Sequence, residues 1–289
     1  MLHLDESKLM RSGLPSRTAL AAAAHRAAHQ ILENGSIFAD PLALRILGKD
    51  AKSVVHDAEM HPSMQRMRIF LAMRTRFAED ALAVAVKQGV RQLVVLGAGL
   101  DTYAYRNPFG ECLRIFEVDH LATQVWKRRL LAEADINLPD SLVFVPVDFE
   151  CDTIAEKLKT SGFNPEQQTF FTWLGVVPYL TEPAIWTTLA FIASLPNGAH
   201  VVFDYSNPPT SLSPKMLNAH QRRAAQVAKL GEAFITYFET EKLLALLTAM
   251  GFVKIEDEGP LQMFVRFFSD FASSVPEKGG HVLYATTRN

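Results

Sequence analysis

Residues 93–106 read LVVLGAGLDTYAYR, and the change of character within that stretch decides the fold. Leu93 to Leu96 are four apolar residues in a row, which suits a strand buried on both faces. They run directly into Gly97-Ala98-Gly99. A strand that ends in Gly-x-Gly brings bare backbone close to a ligand, because no Cβ stands in the way. The stretch therefore predicts a central strand of an α/β sheet with a nucleotide-type site at its carboxyl end.

Working outward, apolar strand candidates lie at 92–96, 112–118, 142–147, 169–175 and 199–205, with helical stretches at 121–134, 152–160 and 183–195 between them. That alternation predicts a parallel sheet wound on both faces. Upstream, residues 17–33 are alanine-rich and helix-favouring, with Ser16 as their cap. Asp40-Pro41 opens a second helix that stops at Gly48. Residues 63–88 carry Met67, Phe70, Leu71, Arg74, Phe77, Ala81 and Val84 at helical spacing. Downstream, 206–237 breaks the alternation with SNPPTSLSP and a polar helix. A helix at 241–250, a strand FVKIED and a final strand HVLYATTR follow. The expected organisation is a single domain over 1–289, with N-terminal helices in 1–88 and a cap inserted at 206–237. The cap belongs over the carboxyl edge of the sheet, where open α/β sheets bind ligands.

The bulk numbers restrict the function classes. The 289 residues are 48% hydrophobic with a net charge of −2, which leaves no electrostatic footprint for nucleic acid. The run Lys127-Arg128-Arg129 reads as a solvated helix face. Cys112 and Cys151 form no framework and no Cys/His cluster, so no metal site is expected. Neither an apolar signal core nor a stretch of membrane-spanning length is present. The expectation is a reduced cytoplasmic enzyme, a monomer or weak homodimer, acting on a small molecule without membrane or nucleic-acid partners.

Three strand ends supply the candidate site. A dinucleotide fingerprint needs a third small residue where this chain has Thr102, which weakens an NAD(P) oxidoreductase reading. Asp119 lies about 20 residues beyond the glycines, where an acid can take both ribose hydroxyls. It can equally cap the helix that follows, and His120 beside it belongs at the adenosine end. Asp148-Phe149 ends the third strand, where a carboxylate can accept an exocyclic amine while an aromatic ring packs on adenine. Helix capping is the ordinary alternative there too. Arg74 and Arg76 precede the first strand; either can fork onto a carboxylate, or form a surface pair with Glu79 or Asp80.

At these residues the chain resembles the leucine carboxyl methyltransferase family, which includes bacterial O-methyltransferases of polyketide pathways. The matching stretches are LGAGLDT at 96–102 with Tyr105-Arg106, FEVD at 116–119, VDF at 147–149, WLGVVPYLT at 173–181 and VFDY at 202–205. The resemblance implies an α/β class I methyltransferase (Rossmann-like) fold with seven strands, the last antiparallel. It implies S-adenosyl-L-methionine as cofactor, with Arg74 on its carboxylate, Gly97, Ala98 and Gly99 as the close-approach loop, Asp119 on ribose and Asp148 on adenine. Many family members carry a glutamate near the cofactor's amino group where this chain has Leu174, so only a backbone contact remains there.

The family link favours an oxygen acceptor, carboxyl or hydroxyl, without selecting one. Tyr179 and Tyr205 follow the fourth and fifth strands and can line an acceptor pocket or serve as core packing. Arg106 can recruit an anionic acceptor or hold the glycine loop by an ion pair. A carboxylate acceptor needs no general base, and no residue is assigned as one. A non-catalytic protein that binds S-adenosylmethionine is the other alternative.

Overall fold

The computed structural model describes residues 16–229, 231–268, 275–276 and 278–288. Residues 1–15 of the expected N-terminal segment lie outside the described residues. At the centre is β1 (Gln92–Leu96), whose five residues are all buried. It pairs in parallel with β2 (Arg114–Asp119) on one side and β4 (Thr169–Trp173) on the other. β3 (Leu142–Pro146) lies outside β2, and β5 (Ala199–Ser206) beside β4, both parallel. β7 (Gly280–Thr286) runs antiparallel to both β5 and β6 (Lys254–Glu258), giving the order β3-β2-β1-β4-β5-β7-β6. The chain steps outward from β1 to β3 and then returns to β4 on the other side of β1. That reversal opens a crevice beyond the carboxyl ends of β1 and β4.

Alternation along the strands builds two cores. Val94 and Leu96 face one apolar cluster with Phe116, Val118, Phe171 and Trp173, while Leu93 and Val95 face the other with Ile115, Phe170, Met73 and Phe77. The first is covered by α6 (Ile154–Thr160), α7 (Glu182–Ala193) and α9 (Thr240–Ala249), the second by α4 (Gln65–Lys87). Among the described residues no helix is long and apolar enough to cross a membrane.

The N-terminal helices form a smaller third cluster. Ser16 Oγ accepts from Ala19 N–H at 3.1 Å and caps α1 (Arg17–Leu32). Ala23 and Ala27, fully buried, let α1 lie close to α2 (Ala43–Leu47) and to Leu100 beside the glycine loop. Two helices differ from the sequence expectation, which left them out. In α3 (Ala51–Met60) only Ala51 is buried, so no apolar stripe marks it; α10 (Pro260–Phe267) buries only Met263.

One expectation is overturned. Lys127, on α5 (Leu121–Glu133), is 1% exposed, and its Nζ donates to Glu117 at 2.7 Å, also 1% exposed. Position 127 falls one turn from Thr123, Gln124 and Leu131, all buried, so the helical period carries it inward regardless of its charged neighbours. Arg128 and Arg129 remain exposed. Burial pushes the Glu117 carboxyl up to about 7, against the opposing pull of Lys127.

Removing one partner from a buried pair strands the other. Lys127→Met is expected to cost about 3–5 kcal/mol in urea unfolding near pH 8, with Lys127→Met/Glu117→Gln recovering much of it. Without Lys127 the Glu117 pKa rises further, so the folded variant takes up a proton that the unfolded chain, at its ordinary value, does not. The deficit relative to the parent should therefore shrink as pH falls from 8 to about 7 and level off below that, where the parent's Glu117 takes up the same proton. A deficit that stays constant across that range, or a double variant as unstable as the single one, would contradict the role assigned to the pair.

Candidate active site

The glycine loop is strapped to the end of β2. Gly97 and Gly99 both sit at positive φ, 67° and 45°. The N–H groups of Gly97 and Ala98 both donate to Val118 O, at 2.8 and 3.1 Å. A Cβ on Gly97 would stand 2.2 Å from Val176 Cγ2, and one on Gly99 would stand 2.9 Å from Ala19 Cβ on α1. Side chains are thus excluded from both positions by conformation and by space.

Asp119 completes the strap. Its Oδ2 accepts from Gly99 N–H at 2.5 Å and its Oδ1 from His120 N–H at 2.7 Å. The residue is buried, and burial raises its pKa against the pull of those two donors and of Lys127. Each oxygen keeps a second lone pair, so the carboxylate can still accept from two hydroxyls. The cap of α5 is His120, whose Nδ1 accepts from Ala122 N–H at 3.3 Å, so the helix-cap alternative for Asp119 passes to its neighbour.

Across the crevice, Arg74 pairs with neither Glu79 nor Asp80. Its Nη1 donates to Asp204 Oδ2 at 2.7 Å, and Asp204 Oδ1 accepts from Gly175 N–H at 2.5 Å. Arg74 Nε is buried with no partner among the described residues, which leaves a donor to spare. The exposed pair with Asp80 belongs to Arg76, at 2.8 Å. Glu79 is taken by a two-pronged bond from Arg106. Arg106 also donates to Thr102 Oγ1 at 3.1 Å, and Thr102 Oγ1 to Asp40 Oδ2 at 2.7 Å. Arg106 therefore holds the glycine loop, and Thr102 is buried as part of the same fastening.

At the β3 end, Asp148 is exposed and its Oδ1 accepts from Glu150 N–H at 3.0 Å. It does not cap α6, whose cap residue is Thr153. Phe149 stacks on Trp173 at 6.4 Å and 20°, and Trp173 Nε1 is buried without a partner among the described residues. Leu174 is half-buried and packs with the α4-side cluster.

The acceptor-side residues separate. The Tyr205 hydroxyl is 3.0 Å from both Thr240 Oγ1 and Asp257 Oδ1, and its ring stacks on His281 at 4.9 Å, so Tyr205 is core packing. Tyr179 lies in a turn after β4 with its ring 5.1 Å from Phe234 of the cap. Burial raises its hydroxyl pKa above the ordinary phenol value.

The cap region holds α8 (Pro214–Lys229), which buries no residue completely, and a return segment tied down by Ile235 N–H to Pro178 O at 2.8 Å. Within it, Glu232 is buried and accepts from Arg17 N–H at 2.7 Å, Thr18 N–H at 3.3 Å and the hydroxyls of Ser16 and Thr18. A carboxylate from the cap thus closes the N-terminus of α1, complementing its dipole. Sequence reasoning missed Asp204 and Glu232. Asp204 carried a usable signal, as an acid at the carboxyl end of an inner strand; Glu232 carried none.

YktD of Bacillus subtilis, described as an S-adenosyl-L-methionine-dependent methyltransferase, is 33% identical over 199 residues, covering 68% of this chain and 65% of YktD. A relative of the same description from Mycolicibacterium paratuberculosis is 33% identical over 181 residues, covering 58% of this chain and 56% of its own. The chain spans less than two thirds of the length of these curated relatives. The crystal structure of a DUF574 family protein from Streptomyces avermitilis shares the fold, with a TM-score of 0.57 at 14% identity over 91% of this chain and 97% of that one. The leucine carboxyl methyltransferase model matches residues 19–193, more than half of the sequence, and the chain belongs to that family.

Proposed function

We propose that the protein is an S-adenosylmethionine-dependent methyltransferase acting on an oxygen of a small-molecule acceptor. The observation that carries this reading is the pairing of a strapped glycine loop with two buried acids, Asp119 and Asp204, on either side of the β1/β4 crevice. Family membership supports oxygen as the atom methylated.

The residues present fit the cofactor. Asp119 has lone pairs for ribose hydroxyls, and Arg74 has a buried Nε, unmatched among the described residues, for a carboxylate. Asp148 and Phe149 stand at the end of β3 for adenine, with the unmatched Trp173 Nε1 behind Phe149. When bound, the cofactor supplies a methyl group already activated on a sulfonium sulfur. The protein's contribution is then alignment and exclusion of water. α1 supplies the exclusion by lying on Gly99, and the cap by fastening to α1 through Glu232. Tyr179, with its raised pKa, stays protonated at neutral pH and acts as a hydrogen-bond donor, not as a base. A carboxylate acceptor requires nothing more.

The direct test is transfer of radiolabelled methyl from S-adenosylmethionine into a metabolite extract. Label is expected in the small-molecule fraction, and alkaline release separates ester from ether. Label confined to added protein would overturn the acceptor class.

Asp119→Ala should lose about 2–4 kcal/mol of S-adenosylhomocysteine affinity by calorimetry, as expected when a hydrogen-bonded charge is truncated. Binding equal to the parent would remove Asp119 from the cofactor site.

Arg74→Lys should weaken the same binding, because an ammonium cannot reach Asp204 and a second carboxylate with a planar fork. Arg76→Lys should leave it unchanged, since Arg76 is paired at the surface. A reversed order of the two effects would place the wrong arginine at the cofactor.

A further inference from the structure

Among the described residues, one arginine beside the crevice has no carboxylate partner. Arg223 projects from α8 so that its guanidinium lies 5.2 Å from the Phe234 ring centroid and its Nη1 is 3.7 Å from Met67 Sδ on α4. Its Nε is buried with no partner among the described residues. The largely buried arginines Arg26, Arg68, Arg74 and Arg106 each have a carboxylate within salt-bridge distance; Arg223 has none among the described residues. The acids nearest this end of the crevice are committed elsewhere: Asp204 to Arg74 and Gly175, Glu232 to the start of α1. Burial already lowers the Arg223 pKa, and Arg74 adds to this against the opposing pull of Tyr179, Tyr237 and Asp204. Nearby on α1, burial and then Arg68, Arg74 and Arg223 press His25 down to about 4, so it is uncharged at neutral pH. A partly buried cation in this setting is costly until an anion joins it.

The surroundings are aromatic. Phe234 lies 5.1 Å from Tyr179 and 6.0 Å from His220, whose Nε2 is 3.0 Å from the Tyr237 hydroxyl. His220 is three residues before Arg223, so α8 presents both on one face. Flat rings beside one fork-shaped donor suit a ring-bearing acid.

We propose that Arg223 is a specificity-determining residue of the cap, holding the carboxylate of a ring-bearing acceptor whose ring lies against Phe234 and Tyr179. This rests on the methyltransferase reading above, and it adds the substrate class and the group that selects it. The same chemistry has a second source, the cofactor's own carboxylate, and the experiment separates the two.

The measurement is calorimetry on the full chain saturated with S-adenosylhomocysteine, titrated with benzoate and 2-naphthoate and, in parallel, with benzamide and 2-naphthamide. At least one acid should bind about tenfold more tightly than its amide. Arg223→Gln should erase that preference and Arg223→Lys restore part of it, with S-adenosylhomocysteine affinity and melting temperature close to the parent in both. Amides binding as well as acids, or no acid binding at all, would overturn the assignment. A large loss of S-adenosylhomocysteine affinity in Arg223→Gln would also overturn it, by giving the guanidinium to the cofactor. Parent protein that fails to bind S-adenosylhomocysteine would bring down the methyltransferase reading together with this one, and is distinguished by occurring before any acid is added.

Discussion

Two glycine turns must be held open at the end of two adjacent parallel strands, and both are held in the same way. The turn after β1 presents Gly99 N–H to the carboxylate at the end of β2, and the turn after β4 presents Gly175 N–H to the carboxylate at the end of β5. A backbone N–H in a buried turn needs an acceptor, and a buried carboxylate needs donors. Each acid meets both needs with one oxygen and keeps the other for a second donor: His120 N–H for Asp119, the Arg74 guanidinium for Asp204. The reversal of strand order between β1 and β4 sets these two clamps facing one crevice. The parallel sheet therefore delivers the site's charge balance as well as its location.

This arrangement also explains why the cap is not an independent element. A cap joined to the sheet only at its ends could open without disturbing the glycine loop. Glu232 changes that, because it supplies the acidic end-cap that the first turn of α1 lacks. α1 in turn covers Gly99 through Ala19, and Arg26 reaches Leu100 O at 2.5 Å. Lifting the return segment of the cap would leave the N–H groups of Arg17 and Thr18 without their acceptor, and that helix lies directly over the glycine loop. One carboxylate thus ties the cap to the helix that lies on the glycine loop.

What was legible in the sequence follows the range of the interactions involved. The run Gln92–Leu96 is apolar because it is buried on both faces, and its bounds can be read from hydrophobicity alone. Asp119 could be placed because its partner in function is the glycine loop of the adjacent strand. Lys127 was misread because three adjacent charges were taken as one face, although consecutive helical positions are 100° apart. Asp204 and Glu232 find their partners 130 and 215 residues away, at Arg74 and Arg17, where no periodicity reaches. Arg106 and Arg74 look alike in the sequence, each an arginine that could face an anion. Only the tertiary pairing shows that one is spent on Glu79 and Asp40 while the other keeps a free donor.

The root of the cap shows why Tyr205 could not serve the acceptor. The chain leaves β5 at Ser206 and returns at Phe238, whose N–H donates to Ser206 O at 3.1 Å, so the insertion starts and ends at one point. Asn207 is fixed there by its bonds to backbone. Its Oδ1 accepts from Gly279 N–H at 3.1 Å and its Nδ2 donates to Phe238 O at 3.4 Å. That orientation turns Oδ1 towards His281 Nε2 at 2.9 Å, while His281 Nδ1 faces Asp257 Oδ2 at 2.8 Å. The Tyr205 hydroxyl, bonded to Asp257 and Thr240, closes this network and is consumed by it. A cap anchored so firmly at its root can vary along α8 without losing its seat. The cap is thus fixed at its root by Asn207, Asp257 and His281, while α8 beyond it has no fully buried residue.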